Sequence, residues 1–177
     1  MRAFFDIDTQ MDFVFPAGAL YGKGGELVIP KVAALNRYAA AHEIPLISSI
    51  CNHPEDAREF SDWAPHCVKG TFGQRKPAET LVDPGRQIFI EKNALDLFSN
   101  PSVPALLDSL RIDECLVYGV YLEFCVKCAV MGLLKSGRRV SLVTDATAHI
   151  DEAAGARAME DFLKAGGATV SAHQILS

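Results

Sequence analysis

Apolar residues fall in two kinds of stretch that alternate along the chain. Near-continuous runs of strand length, rich in Val, Ile and Phe, occupy Arg2–Ile7, Ile44–Ile50, Gln87–Glu91, Cys115–Val120, Arg139–Thr144 and Ala168–Ala172. Such runs belong to strands covered on both faces. Stretches with helical spacing lie between them. Pro30–His42 has Pro30 suited to its opening turn, and Val103–Leu110 has Ser102 placed to cap it. Cys125–Ser136 is closed by Gly137, and Glu152–Ala165 is capped by Asp151 and closed by Gly166-Gly167. This alternation predicts an α/β fold, a three-layer α/β/α sandwich around a central, mainly parallel six-stranded sheet. The 177 residues read as a single domain, 1–177, without internal repeat or linker. The irregular stretch 51–84 is too long for a mere connection and reads as functional.

Composition narrows the partners. A net charge of −5 with no basic cluster argues against nucleic acid or an acidic membrane surface. No apolar run approaches the roughly 20 residues of a membrane span. The opening Met1-Arg2-Ala3-Phe4-Phe5 is interrupted too soon, by Asp6 and Asp8, to read as a signal peptide. Five cysteines, an odd number without a small-domain framework, read as reduced thiols of a cytoplasmic protein. Cys125-Val126-Lys127-Cys128 is formally a C-x-x-C, but it lies inside a predicted helix and lacks the small pair expected between redox thiols. Cys67, Cys115 and Cys128 read as small buried hydrophobes.

In an open parallel sheet, ligands bind beyond the carboxyl ends of the strands, where strand order reverses. Asp8 closes the first predicted strand, Cys51 and His53 follow the second, and Lys92 follows the third. Cys125 follows the fourth and Asp145 the fifth, so five strands discharge ionisable residues onto one edge. Cys125 follows a buried strand and a glycine-led turn, which delivers it to the first turn of a helix, where unpaired N–H groups favour thiolate. Lys92 adds a second positive influence on that sulfur. Asp8 is placed to take the thiol proton and pass it to a leaving amine. The backbone N–H groups of Tyr121 and Cys125 supply an oxyanion hole. Together these groups spell acyl transfer to water through a thioester. Lys92 must reach across roughly 10 Å of sheet if its strand lies two positions from the first.

The same residues resemble the isochorismatase-like cysteine hydrolase superfamily, which includes nicotinamidases. Asp8-Thr9-Gln10-Met11-Asp12-Phe13 is similar to that family's DxQxDF signature, and Pro16-Ala17-Gly18-Ala19-Leu20 to the P-G-G-A-L that follows. The resemblance places the catalytic acid at Asp8, the lysine at Lys92 and the nucleophile at Cys125. It also implies a cis peptide between Val120 and Tyr121, and a homo-oligomer of a size no residue specifies. Trp63-Ala64-Pro65-His66-Cys67-Val68-Lys69-Gly70-Thr71 is similar to the W-P-x-H-C-x-x-G-T stretch of nicotinamidases, whose histidine binds a divalent metal together with an Asp-x-His pair. This chain offers His53 and His66, with Cys51 in place of the aspartate and Asp56 or Glu59 as substitutes. No cofactor is strictly required. Zinc is the metal most compatible with His53, His66 and Cys51, and the other reading is a metal-free pocket lined by the two histidines.

The resulting expectation is a cysteine amidohydrolase acting on a small, planar amide, a C–N hydrolase of the nicotinamidase kind. Phe13, Trp63 and Tyr121 are the candidate walls for that substrate, although Phe13 and Trp63 are equally suited to core packing. Two alternatives stand beside it: an isochorismatase-type enzyme cleaving a vinyl ether, and a binding protein that keeps the fold without turnover. Asp6, inside an apolar strand, has no assigned chemistry, and Asp12 is expected to hold the Asp8 loop.

Overall fold

The computed structural model describes residues 1–177. All six strands form one parallel sheet in the order β3-β2-β1-β4-β5-β6. They are β1 (Arg2–Ile7), β2 (Leu46–Cys51), β3 (Ile88–Lys92), β4 (Glu114–Gly119), β5 (Arg139–Thr147) and β6 (Ala168–Val170). The helices are α1 (Met11–Val14), α2 (Ile29–Ala41), α3 (Val103–Ser109), α4 (Lys127–Lys135), α5 (Glu152–Lys164) and α6 (Ala172–Leu176). Strand order reverses between β1 and β4, so the crevice beyond their carboxyl ends is the expected ligand position.

Alternation along β1 divides the core. Ala3, Phe5 and Ile7 pack with Val103 and Leu107 of α3, Val130 and Leu133 of α4 and Phe162 of α5. Phe4 points the other way, onto Val32, Leu35 and Ala39 of α2 and Ala172 of α6. The predicted three layers follow directly, each fully buried large side chain contributing about 1.5–3 kcal/mol. No helix is long and apolar enough to cross a membrane.

Local differences from the sequence reading have local causes. Ser102 precedes α3 but its side chain accepts no capping bond; its own amide donates instead to Asn100 Oδ1 at 2.9 Å. Asp151 does cap α5, accepting from the Ala154 amide at 2.6 Å. The last strand stops at Val170 because Ser171 and Gln174 form a capping box that starts α6. Asp145, expected on the ligand-binding edge, lies inside β5, which runs on to Thr147. Its carboxylate pairs with Lys31 at 3.1 Å and accepts from the Ala172 amide at 2.7 Å, which fixes α6 to the sheet and removes Asp145 from the site.

Asp6 belongs to a buried polar cluster beside α2. It pairs with Lys76 at 3.0 Å and accepts from Thr9 at 2.6 Å and Asn36 at 2.9 Å. The Asn36 side-chain carbonyl in turn accepts from the Tyr118 hydroxyl at 2.7 Å, so every charge and amide in the cluster has a partner.

Gly119 ends β4 with φ +124°, and a Cβ there would stand 2.1 Å from the Ile7 carbonyl oxygen. Gly119→Ala is expected to cost about 3 kcal/mol or more, read as a fall in the urea-unfolding free energy.

Candidate active site

β1 hands the chain to Asp8, which adopts φ +49° and lies fully buried. Ser49 donates to its Oδ1 at 2.6 Å, and Lys92 Nζ approaches its Oδ2 at 2.7 Å. Lys92 is the last residue of β3, in register with Cys51 at the end of β2, and it reaches Asp8 across β2. Its ammonium also donates to the Ala94 carbonyl at 2.9 Å, to Cys51 Sγ at 3.3 Å and to Cys125 Sγ at 3.6 Å. The three residues expected to meet therefore do meet, around one buried nitrogen.

Electrostatics divide this group unevenly. Burial pushes the Asp8 carboxyl up, but the Lys92 charge and the hydrogen bonds from Cys125, Lys92 and Ser49 outweigh it, leaving Asp8 below its ordinary value. Lys92, penalised by burial yet facing Asp8 and two sulfurs, is held well above the usual lysine value. The Cys125 thiol is pushed well up, first by its hydrogen bond with Cys51, then by burial and the Asp8 charge, against which Lys92 pulls down. Lys92 does pull Cys125 toward thiolate, as expected, but the Cys51 hydrogen bond, burial and the Asp8 charge outweigh that pull.

Cys125 is also not on the first turn of a regular helix. Leu122–Val126 forms a wide turn in which the Val126 amide donates to the Tyr121 carbonyl at 3.2 Å, with Phe124 at non-helical angles, and α4 begins only at Lys127. Such one-turn π segments insert a residue and re-aim a side chain, here the thiol, toward the strand ends. The Val120–Tyr121 peptide is cis. The Tyr121 amide donates to no backbone carbonyl of the fold, so it is free to face a ligand.

Above the thiol opens a cavity of about 270 Å³ lined by Phe13, Leu20, Trp63, Tyr121 and Phe124 among other apolar groups. Phe13 and Trp63 thus face the cavity as well as packing: Phe13 lies edge-on to Tyr121 and Trp63 edge-on to Phe124. The Tyr121 hydroxyl donates to the Phe13 carbonyl and accepts from the Gly22 amide at 2.8 Å. Asp12 accepts from the amides of Ala19 at 3.1 Å and Cys67 at 2.7 Å, so it ties the loop after α1 to the segment carrying His66.

At the cavity edge, His53, Glu59 and His66 bring one donor atom each within 4.8 Å of one another. Glu59 Oε1 lies 3.2 Å from His66 Nε2 and 3.6 Å from His53 Nε2. The buried His53 ring has no hydrogen-bond partner at either nitrogen, and burial holds its pKa down, in the neutral form that ligates metals. His66 Nδ1 is engaged by the Ala64 carbonyl at 2.8 Å, which leaves Nε2 facing inward in the way metal-binding histidines are oriented. An orphaned buried imidazole beside a carboxylate and an oriented imidazole fits a divalent cation. Of the two candidate substitutes, Glu59 takes the carboxylate place and Asp56 does not. Cys51, expected as the third ligand, is absent from this set. The chain leaves β2 after Cys51, and His53 pairs instead with Val68, which turns the two side chains to different neighbours.

Two contributors escaped the sequence reading. Ser49 holds Asp8, and its signal was a Ser48-Ser49 pair inside an otherwise apolar strand. Gln10 brackets the Cys51 backbone, accepting from its amide at 2.7 Å and donating to its carbonyl at 2.9 Å, and so locks the Asp8 turn to the end of β2.

The six-stranded parallel sheet, with Asp8, Lys92 and Cys125 gathered at its carboxyl edge, points to one family. The Isochorismatase domain profile matches residues 2–174, and the chain belongs to the isochorismatase family. It is 24% identical to a nicotinamidase of Saccharomyces cerevisiae over 195 residues, covering 86% of this chain and 90% of that one. A pyrazinamidase of Pyrococcus horikoshii, crystallised in complex with zinc, superposes with a TM-score of 0.88 at 28% identity, covering 96% and 98% of the two chains. A protein of L. infantum, PnC1, crystallised with nicotinate, gives 0.86 at 26% identity over 98% and 93%.

Because folding lowers the Asp8 pKa, the Asp8–Lys92 pair stabilises the fold above the ordinary carboxylate value of about 3.9, and this contribution is lost as pH falls through the lower native value. Lys92→Met is expected to cost about 3–5 kcal/mol at pH 7. Adding Asp8→Asn should return most of that loss, and the single-variant deficit should shrink in acid as its unpaired Asp8 takes up a proton, all read by urea unfolding.

Proposed function

We propose that the protein is a cysteine amidohydrolase that cleaves a small, neutral, planar amide through a thioester. The observation that carries this reading is the Lys92 ammonium, 2.7 Å from Asp8 and 3.6 Å from the sulfur of Cys125, which itself lines an apolar cavity. As substrate enters, Asp8 accepts the Cys125 proton while sulfur attacks the carbonyl carbon. The Tyr121 and Cys125 amides hold the oxyanion. Collapse breaks the C–N bond, and the leaving amine takes the proton from Asp8. Asp8 then accepts a proton from water as that water attacks the thioester, and returns it to the departing Cys125 sulfur as the acid is released. Lys92 keeps Asp8 ionised and steadies the negative charge that moves between carboxylate and sulfur.

The cavity supports a small uncharged substrate. Its volume lies at the lower edge of the roughly 300–1,000 Å³ of drug-sized sites. No lysine or arginine lines it, so no side-chain ammonium or guanidinium is there to pair with a dianion such as isochorismate. That disfavours vinyl-ether cleavage. His53, Glu59 and His66 would hold a divalent cation, which when bound supplies a Lewis-acidic point for a substrate lone pair.

Ammonia release from nicotinamide, pyrazinamide and carbamoyl compounds, with isochorismate as control, tests the proposal. Cys125→Ala is expected to lower kcat/KM at least about 10³-fold with the urea midpoint retained, and unchanged turnover would overturn the covalent route. The acid limb of the kcat/KM profile should report Asp8, with its midpoint below the ordinary value of about 3.9.

A further inference from the structure

Cys51 has no part in the reaction just described, yet it sits inside the triad. It is buried and lines the cavity, with its sulfur 3.3 Å from Lys92 Nζ and 3.6 Å from Asp8 Oδ2. One carboxylate oxygen of Asp8 and the sulfurs of Cys51 and Cys125 all lie within 4.8 Å of one another. Tetrahedral zinc, with bonds of about 2.3 Å to sulfur and 2.0–2.2 Å to oxygen, needs donor separations of about 3.5–3.8 Å. Small side-chain rotations close the remaining gap. The three donors are already gathered around a positive charge, since the Lys92 ammonium touches each of them.

We propose that Asp8, Cys51 and Cys125 form a capture site for thiophilic divalent cations such as Zn²⁺ and Cd²⁺, separate from the His53–Glu59–His66 set, and that its occupation silences the nucleophile. On binding, two S–H bonds break and two metal–sulfur bonds form. Both protons leave to solvent and nothing is oxidised or reduced. The charges then balance. A dication, one carboxylate, two thiolates and the adjacent ammonium sum to zero, so the buried cluster stays neutral without expelling Lys92 from the interior. The two sites sort metals by donor softness. The thiol pair favours soft ions, whereas imidazole and carboxylate also accept harder ones such as Mn²⁺. The enzyme would therefore be supported by one cation and blocked by excess of a softer one.

The test does not need turnover, so its failure leaves the amidase reading intact, and an inactive amidase leaves it measurable. The metal-stripped, reduced protein is titrated with CdCl₂ while near-ultraviolet thiolate-to-cadmium absorption and proton release are followed. Wild type should gain the absorption and release about two protons for the ion bound there. Cys51→Ser and Cys125→Ser should each weaken this binding at least about 10–100-fold, the loss caused even by an outer partner of a metal site. Cys67→Ser, Cys128→Ser and His66→Ala should retain the absorption, with folding of each variant checked by its urea midpoint. Full absorption in Cys51→Ser would overturn the proposal. So would its loss in Cys67→Ser, which would move the ion to a different thiol pair, or in His66→Ala, which would merge the two sites.

Discussion

An ammonium and a carboxylate, buried together where β1, β2 and β3 end, constrain everything else in this molecule. Neither Asp8 nor Lys92 could remain ionised alone at that depth, since the desolvation of one charge costs several kcal/mol. Together they oblige the chain to supply further partners: Ser49 for the carboxylate, the Ala94 carbonyl for the ammonium, and two sulfurs for what remains. Register does the placing. Cys51 pairs with Lys92 across β2 and β3, and Ile7 with Ser49 across β1 and β2, so the site is assembled from strand ends whose relative positions the sheet fixes. A rigid sheet edge can hold such a cluster where a loop could not.

The Cys125 sulfur rests as a thiol because its hydrogen bond with Cys51, its burial and the Asp8 charge together outweigh the pull of Lys92. In the proposed reaction Asp8 takes that proton only as substrate arrives, and until then the buried sulfur is protected from unproductive chemistry.

Much of this was legible in the residues. The six apolar runs carried the sheet because strands covered on both faces are mostly apolar, their few polar residues (Asp6, Ser48 and Ser49) being matched by buried partners; the polar residues at the ends of β1 and β3, with Cys125 beyond β4, mark the site's edge. Asp145 misled because a polar residue after an apolar run looks the same whether the strand ends or continues. β5 continues, with a register shift against β4, and its acid serves α6. Cys51 misled for a subtler reason. The resemblance puts it where the family's Asp-x-His pair has its aspartate, but in the fold its sulfur groups with Asp8 and Cys125 while His53 groups with Glu59 and His66. Glu59 could be named only as one of two candidates, because the distance from His66 to an acid seven residues earlier depends on how an irregular segment folds back. The protonation state of Cys125 was beyond reach, since it follows first from a hydrogen bond with Cys51 that only the fold creates.

The Tyr121 ring joins two parts of the molecule that are usually free to vary separately. Its backbone belongs to the turn that aims the thiol, while its hydroxyl grips the backbone at Phe13 and Gly22, segments that form the opposite wall of the cavity. Gly22 and Gly25 crowd that hydroxyl so closely that a methyl at either would collide with it. Chamber and firing mechanism are therefore one casting. A lineage of this fold that sought a bulkier ligand could not widen the room by trimming this wall alone, because every change at position 121 also disturbs the turn that carries Cys125.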